Sequence, residues 1–126
     1  MAPTDKSSGS GGDATSRDKT PALDAILDAL SHQYRRILLE YLITRRHSVV
    51  TVEDATTFMQ RTLRERQGTA PPRDEITLEL HHRHLPTLEA ANVIGYDPDR
   101  QTIEYEYNKN LERVHNCLHD LDFERE

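Results

Sequence analysis

Apolar side chains recur along this chain at two different periods, and the passage from one to the other marks its architecture. Leu23, Ile26, Leu27 and Leu30 stand at i, i+3, i+4 and i+7, one stripe of an amphipathic helix. Pro21 lies near its start, where a missing amide donor does no harm. Ser31 is placed to cap a second helix in which Tyr34, Ile37, Leu38, Tyr41 and Leu42 repeat the spacing, while Arg35 and Arg36 point elsewhere. Thr44 to Val50 reads as a polar connection. Thr51 followed three residues later by Asp54 approximates a capping box and predicts a third helix from about Val52 to Arg66. The run Gln67-Gly68-Thr69-Ala70-Pro71-Pro72 breaks it, because consecutive prolines cannot continue a helix. A fourth helix begins near Arg73, with Leu78, Leu85 and Leu88 on one stripe. Pro86 predicts a kink there, since it has no amide to donate and its ring pushes against the carbonyl of His82.

After residue 92 the period drops to two. Ile103, Tyr105 and Tyr107 alternate with Thr102, Glu104 and Glu106, as in a half-buried strand. Asn92 sits where the fourth helix should end, and asparagine tolerates the left-handed backbone that helix ends commonly use. Asp97-Pro98-Asp99 supplies a turn with proline in its favoured second position. Helix followed directly by hairpin is the order of a wing. Beyond it, Leu111, Val114, Leu118 and Leu121 form a seam at i, i+3, i+7 and i+10 on a last helix, which the core and hairpin leave uncovered and which therefore suits a second copy of the chain. Packing on the chain's own first helix is the other reading of that seam. No internal repeat is present.

The 126 residues allow one small domain. Residues 1–20, rich in Gly, Ser, Thr, Asp and Lys, hold no run of large apolar side chains and are expected to be a disordered tail, with the domain over 21–107 and a C-terminal helix over 108–126. No segment approaches the ~20 apolar residues of a membrane span and no apolar leader is visible, so a soluble, cytoplasmic protein with no membrane partner is expected. Cys117 is alone, which rules out an intrachain disulfide and suits a reducing compartment. Net charge is −6, and Lys occurs only at positions 6, 19 and 109. Acidic excess with scarce Lys resembles proteins of salt-loving archaea. Such a body repels nucleic acid at long range, so a duplex would have to meet a local basic patch or bind in salt that confines the repulsion to about 3 Å at 1 M.

Leu30-Ser31 with Arg35-Arg36-Ile37-Leu38 resembles the opening of arsenical-repressor-like winged helices, and His84-Leu85, Leu88 and Ala91-Asn92-Val93-Ile94 resemble the end of their recognition helix, where the family usually has Gly in place of Asn92. The run His82-x-His84-Leu85-Pro86-x-Leu88, followed by Tyr96-Asp97, is similar to small winged-helix domains that haloarchaea encode in large numbers. The resemblance covers roughly residues 22–107. It implies a mainly α fold with a small β-hairpin: a winged helix-turn-helix with a three-helix core, a recognition helix and a wing, plus the C-terminal helix. It makes residues 73–91 the helix that enters the major groove, with Arg73, Thr77, His82 and Arg83 toward base edges. Arg61, Arg64 and Arg66 on the preceding helix would hold phosphates, which positions the protein without reading sequence. Between Arg35 and Arg66 seven Arg oppose four acids, whereas Asp97 to Glu106 carries four acids against one Arg, and Glu75 and Glu79 lie on the reading side.

Other chemistry is thinner. His81, His82 and His84 hold typical metal-ligand side chains, but on a helical wheel His81 and His84 fall beside Leu85 and Leu88 while His82 points away, so the three cannot converge on one ion. His115 and His119, at i and i+4 with Asp122 and Cys117 nearby, form an incomplete ligand set of the kind that metal-sensing relatives carry on a C-terminal helix. No metal and no cofactor is expected. Nor is an enzyme, because no nucleophile stands beside a base and neither a phosphate loop nor a zinc-protease motif occurs. The expected function is a homodimeric DNA-binding regulator of transcription with double-stranded DNA as partner. The alternative is a protein-interaction module of the same fold that does not bind DNA.

Overall fold

The computed structural model describes residues 23–45 and 48–125, with side chains through Leu121. The expected tail over residues 1–20 lies outside the described residues. The elements run α1 (Leu23–Ala29), α2 (Gln33–Thr44), β1 (Val49–Thr51), α3 (Val52–Gln67), α4 (Arg73–Glu79), a π-helical segment (Leu80–His84), α5 (Leu85–Ala90), β2 (Ile94–Asp97), β3 (Thr102–Tyr105) and α6 (Lys109–Arg125). The protein is mainly helical, with a three-stranded antiparallel sheet of order β1-β3-β2 and a C-terminal helix. This order is compatible with a hairpin wing set against a helical core.

In α1 the buried side is Ile26, Ala29 and Leu30; Leu23 and Leu27, expected on the stripe, are 61% and 47% exposed. Ser31 does not cap α2. Its hydroxyl donates to the Asp28 carbonyl, and the preceding-turn role falls to His32, whose ring accepts from the Tyr34 amide at 3.0 Å. The connection expected over Thr44 to Val50 contains β1, whose Val50 pairs with Ile103 and is buried. Three residues are too short for alternation to declare a strand. Thr51 caps α3 as expected, its hydroxyl accepting from the Asp54 amide at 3.0 Å. At the other end Gly68 adopts φ 83° and returns its amide to the Arg64 carbonyl, a left-handed stop that glycine takes at little steric cost.

The expected kink near Pro86 takes a definite form. Leu85 donates to the carbonyl of Leu80, five residues back, so one extra residue is accommodated just before the proline that cannot donate. The buried stripe accordingly reads Ile76, Leu80, Leu85 and Leu88, with a five-residue step in the middle. Leu78, assigned to that stripe by spacing alone, is 57% exposed instead. Asn92 takes φ 63°, the left-handed end foreseen for it. In the hairpin Asp97 Oδ1 accepts from the amides of Asp99 and Arg100, and Ile103 and Tyr105 face the core. Tyr107 lies beyond β3 and is exposed, so the alternation ends two residues early.

The α6 seam is covered. Leu111 is fully buried and Val114 and Leu118 pack partly against the same core, while His115 donates from Nε2 to the Arg36 carbonyl at 3.1 Å. The start of α6 thus meets the core of its own chain and its middle meets α2 at Arg36, while of the four seam residues only Leu121 is exposed. Among the described residues no helix is long and apolar enough to cross a membrane.

Candidate nucleic-acid interface

The outer side of the continuous helical path 73–90 is open to solvent at Asp74, Glu75, Leu78, His82, Arg83 and Glu89. Of the residues expected toward base edges, His82 is open to solvent, and the Arg83 side chain is 60% exposed with Glu79 3.6 Å away. A solvated pair of this kind contributes at most about 1 kcal/mol and exchanges readily for another anion. Thr77, expected toward base edges, is instead turned onto α3, where its hydroxyl meets that of Thr56 at 3.1 Å. Arg73 is also turned back, donating to the Thr57 hydroxyl at 2.6 Å and so tying the start of α4 to α3.

On α3 the core takes Ala55, Thr56, Met59, Thr62 and Leu63, which leaves Arg61 and Arg64 on the outer side. Arg66, expected to hold phosphate with them, pairs with Glu40 of α2 at 2.9 Å. The carboxylates of Asp74, Glu75 and Glu89 on the same helical path, and of Asp97, Asp99, Glu104 and Glu106 in the hairpin, are also exposed.

Beneath it sits a polar cluster that sequence reasoning missed. Arg35, expected to point away from the core, is buried. Its Nε donates to the Ala29 carbonyl at 3.0 Å, its Nη2 to the Asp28 carbonyl and Ser31 hydroxyl at 3.0 Å, and its Nη1 reaches His84 Nδ1 at 3.1 Å. A signal was available, because position 35 completes an i, i+3, i+4, i+7 series with Leu38, Leu39 and Leu42, all buried. His84 is fully buried and its ring lies 4.6 Å from that of His32. Burial first, then the neighbouring His32, Arg35 and Arg83, push its pKa down to about 4. His81 bonds through Nδ1 to the Tyr96 hydroxyl on β2, so the three histidines of this segment face three different surroundings.

On α6 the rings of His115 and His119 stack nearly parallel at 6.4 Å, and burial lowers the His115 pKa. The Asp122 side chain lies outside the described residues. No group of three or more His, Cys, Asp or Glu that could hold a metal ion is found among the described residues.

The sequence from α1 to the central strand of the sheet, residues 27–104, matches one family model. The chain belongs to the family described as Domain of unknown function (DUF7344). The family's span takes in α2, α3, the π-helical segment, Arg35 and His84, and stops short of α6. No curated protein and no solved structure is matched.

Proposed function

We propose that this chain is a winged helix-turn-helix DNA-binding protein that regulates transcription as a homodimer. The observation that carries the reading is the open outer side of the segment leading into the hairpin, where His82 and Arg83 are solvent-facing while the buried stripe anchors the other side. A helix held in that way fits the major groove, and Arg83 offers paired donors to guanine O6 and N7 once it leaves Glu79. Arg61 and Arg64 on the adjoining α3 supply phosphate contacts. Arg73 and Thr77 make contacts within the fold and leave the base-reading set, and Arg66, paired with Glu40, leaves the phosphate-holding set. Exposed Leu23 and Leu27 on α1 leave apolar surface for a second copy.

Selection from a random duplex library in molar KCl, followed by anisotropy titration of the winning sequence, tests the reading. Arg83→Ala should relax preference at one base position at a cost of about 1–3 kcal/mol, whereas Arg61→Ala with Arg64→Ala should weaken all duplexes alike. Enrichment of no sequence over the starting pool refutes it. The carboxylates at Asp74, Glu75, Asp97, Asp99, Glu104 and Glu106 favour a second reading, a protein-interaction module of the same fold, in which those arginine replacements leave partner capture unchanged.

A further inference from the structure

A buried guanidinium is costly unless its donors are used. Arg35 has no carboxylate within ion-pair distance among the described residues, and three of its four hydrogen bonds anchor it to the turn between α1 and α2, at Asp28, Ala29 and Ser31. The fourth crosses to His84, 49 positions away in sequence. Because guanidinium can only donate, His84 Nδ1 must present its lone pair, which places the ring proton on Nε2. That Nε2 is buried without a hydrogen-bond partner, its nearest carboxylate being Glu79 Oε1 at 3.9 Å.

A π-helical turn is rare and occurs mostly as a single-turn insertion in an α-helix, so specific contacts must favour it here. Three contacts do so: Pro86 at its end, His81 with Tyr96 on β2, and His84 with Arg35 inside. In this register His84 is wholly inward while His82 and Arg83 are outward. Each one-residue slip of a helix rotates its side chains by about 100°, which would carry Arg83 off the open side.

We infer that Arg35 is a positioning residue for the outward face of this segment: fixed on the α1–α2 turn, it holds His84 inward through Nδ1 and so sets the register that presents His82 and Arg83. The ligand presented to is duplex DNA, so the inference rests on the function proposed above. Protonation of Nδ1 undoes the contact, since it would set one N–H against another beside Arg35 on α2, Arg83 on the same segment and His32 at the start of α2, with only Glu79 of α4 opposing.

The test uses the full chain with Arg35→Met, His84→Leu and His84→Asn, whose amide oxygen can stand where Nδ1 stands without titrating. Nitrogen-15 spectra of the imidazoles should show His84 as the Nε2–H form in the unsubstituted protein. Arg35→Met and His84→Leu should speed hydrogen exchange of the Leu85 amide at least tenfold, leave the β2–β3 amides protected, and weaken binding to the duplex enriched from the random library at least tenfold while changing affinity for the unselected pool less than threefold. His84→Asn should stay within threefold on both measures. An Nδ1–H form of His84, unchanged Leu85 exchange in Arg35→Met, loss of β2–β3 protection in step with Leu85, or failure of His84→Asn to rescue overturns the role of Arg35. If the unsubstituted protein binds no duplex, the DNA reading falls, and the tautomer and exchange results still decide whether Arg35 sets the register.

Discussion

Replacing Leu111 by alanine separates a monomer core from a dimer seam, because the two assign the cost to different states. Leu111 is fully buried within one chain, at the start of α6. Truncation removes three carbons, worth about 0.8 kcal/mol each in transfer from water, and leaves a cavity, which together give about 3–4 kcal/mol. Against the roughly 5–15 kcal/mol of a small domain this is a large fraction, and a loss of about 3 kcal/mol should lower Tm by some 12–24 °C. Leu121, 55% exposed on the same stripe, should lose under about 0.5 kcal/mol on the same replacement. Urea unfolding in molar KCl, followed by circular dichroism at several protein concentrations, reads both. The Leu111 cost should be independent of concentration. A cost under about 1 kcal/mol for Leu111→Ala, or a midpoint that falls on dilution while Leu121→Ala costs as much as Leu111→Ala, would refute its place in the monomer core.

Three further outcomes are expected. Thr51→Ala should cost about 1 kcal/mol in urea unfolding, since it leaves the Asp54 amide without its cap. Gly68→Ala should cost about 1–2 kcal/mol from backbone conformation alone, because φ is 83° while a Cβ there would meet nothing within 4 Å; Gly68→Asn should cost less. His84 binds a proton near 6.5 when unfolded and only near 4 when folded, so the unfolded state holds the extra proton between those values and stability falls as pH drops through that window. The loss attributable to this residue is at most about 3 kcal/mol, and His84→Asn should remove that part of the slope in unfolding measured from pH 7 to pH 4.

Short-range rules made several local features legible, though not the α2 cap, which falls to His32 and not to Ser31. Thr51 with Asp54, Asn92 at a left-handed end and Asp97-Pro98-Asp99 at the turn all appear as their residue types dictate. Spacing failed where the ideal period was interrupted or a position was polar. The π insertion moved the stripe from Leu78 to Ile76 and Leu80, which a fixed 3.6-residue count cannot follow. Arg35 sat on the buried side of α2 all along, but its charge argued for solvent, and only the carbonyls of the α1–α2 turn together with His84 explain its burial. For the α6 seam the sequence left the cover open, because a stripe of leucines says that something covers it, not whether the cover is the same chain; Leu111 meets the core of its own chain.

The same redistribution governs how the proposed interface should respond to salt. Sequence counting credits the stretch from Arg35 to Arg66 with seven arginines, yet Arg35 is buried and Arg66 is held by Glu40. On α3 this leaves Arg61 and Arg64 exposed, with Arg83 held loosely beyond them. Two phosphate contacts release few counterions, so log K against log salt should fall with a slope near −2 for one protomer, at about −0.9 per contact. Lower salt strengthens those contacts but also extends the repulsion from Asp74, Glu75 and Glu89, so the curve should flatten below roughly 0.1 M, where the screening length reaches about 10 Å. Hydrogen bonds to base edges are not screened in this way, and Arg83→Ala should therefore cost a similar factor at 0.2 M and 2 M KCl. A slope of −5 or steeper per protomer, still rising at the lowest salt, would mean that cations other than Arg61 and Arg64 carry the binding.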